Sequence, residues 1–122
     1  FAPSIAWDET NSRYCVVFEE EFSAGDHDVV RAFVSGSGVL QSSGYVDTSL
    51  SAYWADPDVA NNSQFNQFFV VAEVGSPTGG ARTIHGRTLD ASTATLGADV
   101  DVSAGAFGLT RTDLAGMPTL TW

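Results

Sequence analysis

Lysine is absent from this chain. Five arginines stand against fifteen acids, for a formal charge of −10. A nucleic-acid backbone or an anionic membrane surface would be repelled at long range, so neither is an expected partner. Cysteine occurs once, at Cys15. A single cysteine forms no intrachain disulfide, so no disulfide framework is expected. It lies in the apolar run Tyr14, Cys15, Val16, Val17, Phe18, which marks a buried small hydrophobe rather than a reactive thiol. No run approaches the roughly 20 apolar residues of a membrane-spanning helix, so membrane insertion is not expected. The opening residues Phe1, Ala2 and Pro3 lack the pattern of a signal peptide. Helix formers are scarce, with one Met and few Leu. Val, Thr, Phe, Tyr, Gly and Ser prevail instead, which is the composition of strands and turns. Hydrophobic residues make up 43% and charged residues 16%, enough apolar material for a packed core. A length of 122 residues suits one domain.

The sequence repeats itself. Pro3, Ile5 and Ala6 match Pro57, Val59 and Ala60 at an offset of 54. The match continues without a gap from Tyr14, Val16, Val17 and Glu19 to Phe68, Val70, Val71 and Glu73. It returns where Val46 and Asp47 meet Val100 and Asp101. A third start is visible at Pro118, Leu120 and Trp122. The spacing assigns a first repeat to residues 3–56, a second to 57–117 and the start of a third to 118–122. An insertion in the Gly- and Ala-rich stretch 104–116 accounts for the longer second unit. Each unit reads as four short strands. They fall at 4–8, 13–20, 28–35 and 39–48 in the first copy and at 58–61, 67–74, 82–90 and 96–103 in the second. Gly36, Ser37 and Gly38 read as a tight turn that needs a positive φ.

The expected fold is all-β: two four-stranded antiparallel repeats, each like a propeller blade, plus the start of a third. A four-stranded unit of this length has two apolar faces and needs a neighbour on each. The alternative is a β-sandwich with two similar halves. The residues also resemble a known repeat. The run Pro3, Ser4, Ile5, Ala6, Trp7, Asp8, a polar turn, and then Tyr14 to Phe18 is similar to tandem repeats of bacterial secreted and surface β-propellers. Ile84, Gly86, Leu89 and Asp90 extend the likeness. The layout is that of sialidase-like propellers without their Asp-box turn. The resemblance implies an extracellular or cell-surface location and carries no sialidase activity with it.

No catalytic or metal motif stands out. A glycosidase needs two carboxylates at a set separation, and acids are too plentiful here to single out a pair. Asp8 ends the first strand and is the acid best placed to face a central channel, while its repeat partner is Asn62. A turn-forming role for Asp8 competes with a ligand role. Glu19 and Glu73 are matched, which suits a hydrogen bond between repeats better than catalysis. Asp26, His27 and Asp28 form a polar cluster without the spacing of a calcium loop. Trp54 is a candidate sugar platform, and Trp7 and Trp122 share a repeat position that suits packing. The candidate ligand contacts are therefore Asp8, Trp54, Asp26 and His27. His27 and His85 share no spacing, so no zinc site is expected. No cofactor is expected, and calcium is the ion an acidic loop would attract. The expected function is a non-catalytic binding or scaffolding module of an extracellular propeller, with carbohydrate or protein as ligand. A fragment of a polysaccharide hydrolase or lyase, and a self-assembling subunit of a ring or filament, are the rival readings. The expected partner is another copy of the chain or the rest of a longer propeller.

Overall fold

The computed structural model describes residues 2–47, 49, 52–76 and 78–103. The third repeat start at 118–122 and the insertion at 104–116 lie outside the described residues. Among the described residues eight strands follow one another: β1 (Ser4–Asp8), β2 (Arg13–Ser23), β3 (Asp26–Ser35), β4 (Leu40–Asp47), β5 (Tyr53–Asn62), β6 (Gln67–Gly75), β7 (Thr83–Asp90) and β8 (Val100–Asp101). They form two four-stranded antiparallel sheets, in the orders β1-β2-β3-β4 and β5-β6-β7-β8. We refer to them as the first and second sheets. The fold is all-β, as the repeat implied.

The register carries the repeat exactly where the sequence places it in the first two strands of each sheet. Ile5 pairs with Val16 and Ala6 with Cys15 in the first sheet. Val59 pairs with Val70 and Ala60 with Phe69 in the second. Backbone conformation repeats as well. Ala2 and Asp56, each just before a proline, have φ of 46° and 47°, and Ser12 and Asn66 have 50° and 52°. Between β6 and β7 the second unit gains one residue: Glu19 faces Val29 in the first sheet, whereas Glu73 faces Ile84 in the second.

Three element bounds differ from the sequence reading. The loop expected at 22–27 is strand except at Ala24 and Gly25, because β2 and β3 keep pairing through a bulge near Ser23. β5 begins at Tyr53, before Pro57, because a bulge between Ala55 and Asp58 takes the proline out of the ladder. The last strand shrinks to two residues and an isolated bridge between Leu89 and Leu96. The tight turn is as expected, with Gly38 at φ 85°.

The two sheets share one core. Cys15, Val17, Val29 and Phe33 of the first sheet and Val59, Phe68, Val70, Ala72 and Leu89 of the second belong to a single buried cluster. The rings of Phe33 and Phe68 meet at 5.7 Å between centroids. Side chains alternate along a strand, so these lists reveal which face each sheet turns inward. The first sheet uses its odd positions in β2. The second uses its even positions in β6. Position 70 corresponds to 16, not to 17, so the two sheets turn opposite faces to the junction. They stack head to tail.

Head-to-tail stacking makes matched valines unequal. Val17 is completely buried, whereas its counterpart Val71 is half-buried on the outward side of the second sheet. Val70 is completely buried, whereas its counterpart Val16 is half-buried on the outward side of the first. Val17→Asp should therefore abolish cooperative folding, since an unpaired buried carboxylate costs several kcal/mol and a small domain has only about 5–15 to lose. Val71→Asp should still give a folded chain. Thermal melts followed by circular dichroism check this, and equal loss in both variants would contradict the stacking.

Candidate functional site

The strongest polar chemistry lies along the seam where β1 and β5 come together. At its centre, Ser4 Oγ donates to Asp58 Oδ1, and the amide of Val59 lies 3.4 Å from the same Ser4 Oγ. Ser4 and Asp58 are themselves repeat counterparts, so the seam joins equivalent positions of successive units.

One end of the seam is built from the β1–β2 and β5–β6 turns. Asp8 is completely buried. It accepts from the Thr10 amide at 3.1 Å and from Asn11 Nδ2 at 2.5 Å. Asn11 Nδ2 also donates to Asn66 Oδ1 at 2.7 Å, and Asn66 Nδ2 donates to Ser92 Oγ at 2.8 Å. Ser92 Oγ donates to Asn11 Oδ1 at 3.1 Å, which closes the network across the two sheets. Arg13 Nη1 donates to the Ser92 carbonyl at 3.3 Å. Asp8 thus fixes a turn and, through Asn11, ties one unit to the next.

The other end gathers Glu19, His27, Tyr53, Asp56, Glu73 and Arg82. Glu19 Oε1 shares a hydrogen bond with His27 Nδ1. Its Oε2 accepts the Asp56 amide of the second sheet at 3.2 Å. That amide belongs to the left-handed residue before Pro57, so the bulge aims a backbone donor at the first sheet. The rings of His27 and Tyr53 lie 4.1 Å apart, and the Arg82 guanidinium sits 4.7 Å from the Tyr53 centroid. Arg82 Nη1 donates to Glu73 Oε2 at 2.8 Å. Burial and the neighbouring Glu19 push the Tyr53 phenol up. The hydrogen bond to Glu73 raises Arg82. With the one-residue gain before β7, Arg82 is the counterpart of His27. Each unit therefore holds a buried glutamate bonded to a basic side chain, His27 at the start of β3 and Arg82 just before β7.

The sequence candidates do not converge. Asp8 and His27 sit at opposite ends of the seam, and both are buried. Trp54 is buried with its ring edge-on to His85 at 5.8 Å. Asp26 is partly exposed at the β2–β3 hairpin. Trp7 packs on Tyr14 at 4.6 Å on the outward side of the first sheet and keeps 42% of its surface exposed, while Trp122 lies outside the described residues. Asp28, opposite Glu20 in the ladder at the other end of the first sheet, is buried with Oδ1 unpartnered. Burial, then Asp26, Asp47 and Glu20, push its carboxyl up. Cys15 is completely buried, and burial pushes its thiol up to about 12 against an opposing effect of Arg31. A thiol held protonated in this way is a packing group. Among the described residues, no group of three or more His, Cys, Asp or Glu side chains is placed to hold a metal ion. Among the described residues there is no helix long and apolar enough to cross a membrane.

Sequence reasoning missed the Ser4–Asp58 contact, the Asn11–Asn66–Ser92 network and the match of His27 with Arg82. The signal for the first was the offset itself, since polar residues recur at 4/58, whereas the offset pairs Asn66 with Ser12 and Asn11 with Phe65 and so does not point to the network. Comparison with family models, with curated proteins and with solved structures gives no match to this chain.

Asp8→Ala should lower stability by about 1–3 kcal/mol, the cost of leaving buried donors without their acceptor. Urea unfolding measures it. An unchanged midpoint would show that the Asp8 contacts do not hold the turn.

Proposed function

We propose that this chain is a non-catalytic scaffolding and binding module of an extracellular β-propeller. The observation that carries this reading is the head-to-tail stacking of two equivalent sheets. Such stacking repeats without limit in principle, because each added sheet presents the same kind of face that it covers. A sandwich of two like halves joined face to like face would close after two sheets.

The outward faces support the same reading. On the first sheet, Ile5 is 60% exposed, Trp7 and Tyr45 are exposed, and Tyr14, Val16 and Phe18 are half-buried. An apolar sheet face of this kind is a surface for another protein layer. The buried carboxylates favour a scaffold over a catalyst. Glu19, Glu73 and Asp8 each hold hydrogen bonds that fix strands or turns. A general acid or nucleophile would need an oxygen turned towards substrate. In the proposed module the loops at the ends of the seam meet carbohydrate or protein, and the sheets hold them in place.

The test is a glycan array run beside a polysaccharide hydrolysis and elimination screen. The module reading predicts no release of reducing ends or unsaturated products from any substrate, including those that bind. Turnover abolished by replacing a seam carboxylate would overturn it in favour of a polysaccharide hydrolase or lyase.

A further inference from the structure

The internal junction is a template for a second one. Its first half is the inward face of the first sheet: Ser4, Ala6, Cys15, Val17 and Glu19. The outward face of the second sheet carries the counterparts of those residues: Asp58, Ala60, Phe69, Val71 and Glu73. Its second half is the inward face of the second sheet, with Val59, Phe68, Val70 and Ala72. The outward face of the first sheet carries their counterparts: Ile5, Tyr14, Val16 and Phe18. One chain thus displays both halves of a junction that it already makes once.

We propose that the outward face of the second sheet docks the outward face of the first sheet of a second copy, in the register of the internal junction. The inference rests on the module reading above and adds the partner and the contacts. Glu73 takes the place of Glu19, which accepts the amide of left-handed Asp56. Ala2 has the same left-handed backbone as Asp56 and the same following proline. Glu73 therefore receives the amide of Ala2 from the second copy. Ala60 takes the place of Ala6. Ala6 is partly buried against the core, while Ala60 is exposed.

Charge agrees with this docking. Arg82 takes the place of His27, and its side chain is 44% exposed on the second sheet. The first sheet carries Glu20 and Asp28 outward at that end, opposite each other in the ladder, where the second sheet has Val74 and Thr83 inward. The unpartnered Asp28 oxygen is among them. A cation on one face meets acids on the other.

The experiment measures the mass of the assembled species by light scattering at micromolar concentration, in the whole chain. Wild type should exceed the 12.9 kDa of one chain by a whole multiple. Two variants block one face each at exposed positions that the monomer fold does not need: Ile5→Glu on the first sheet and Ala60→Arg on the second. Each alone should be a folded monomer. Mixed, they should form a 1:1 complex of twice the chain mass, because each keeps the face the other has lost. A monomeric wild type overturns the proposal and means the faces are covered within the chain or by another protein. Either variant assembling as wild type does, or a mixture that stays monomeric, overturns the head-to-tail register. A turnover result in the glycan screen is separate from all of these, so failure of the partner and failure of the module reading are distinguishable.

Discussion

The structure depends on one constraint: a β-sheet with two apolar faces has to cover both of them. β2 shows the problem in eight letters, from Arg13 to Glu20, where Cys15 and Val17 point one way and Tyr14, Val16 and Phe18 the other. The chain meets half of this requirement internally. Burying a large aliphatic or aromatic side chain contributes about 1.5–3 kcal/mol. The Phe33 and Phe68 rings, with the valines around them, supply that gain at the junction of the sheets. Because the second sheet follows the first by stacking, the same constraint is passed on to its outward side.

Polar groups set the register of that stacking. Apolar contact between stacked sheets is non-directional and does not by itself choose their alignment. The seam does, since Ser4 with Asp58, Glu19 with the Asp56 amide, and Asn11 with Asn66 can pair only in one alignment. Arg87 adds a clamp away from the seam, donating to the Val46 carbonyl of the first sheet at 2.6 Å and to Gly97. The backbone contributes as well. The Phe69 ring lies so close over Gly86 that an added Cβ would come within 2.2 Å of it, so a side chain at that position on β7 requires the ring to move.

Much of the fold was legible because the repeat is. Pro3 with Pro57 and Val16 with Val70 place strands and registers without any coordinates. The direction of stacking was hidden. Alternation shows that a strand has two faces, but both faces of β2 are apolar, so nothing in the letters says that Val17 rather than Val16 meets the neighbour. Pro57 misled in a definable way: a proline reads as a strand start, yet a bulge absorbed it and β5 began earlier. The pairing of Glu19 with His27 and of Glu73 with Arg82 was masked by the single residue gained before β7, which moves the match of His27 from Ala81 to Arg82. The candidates Asp8, Trp54, Asp26 and His27 were chosen by residue type, and type does not report burial. Asp8 and His27 proved to be joints of the seam.

The central claim is that equivalent sheets present opposite faces to each other, and aromatic proton contacts in solution report on it directly. Phe33 lies on the inward face of the first sheet. Head-to-tail stacking puts it beside Phe68. Packing of like face on like face would put it beside Phe69 and Thr88, the pair on the opposite side of the second sheet. With selectively labelled phenylalanines, nuclear Overhauser spectra should show a strong cross-peak between the Phe33 and Phe68 rings and none between Phe33 and Phe69. The reverse pattern would contradict the account.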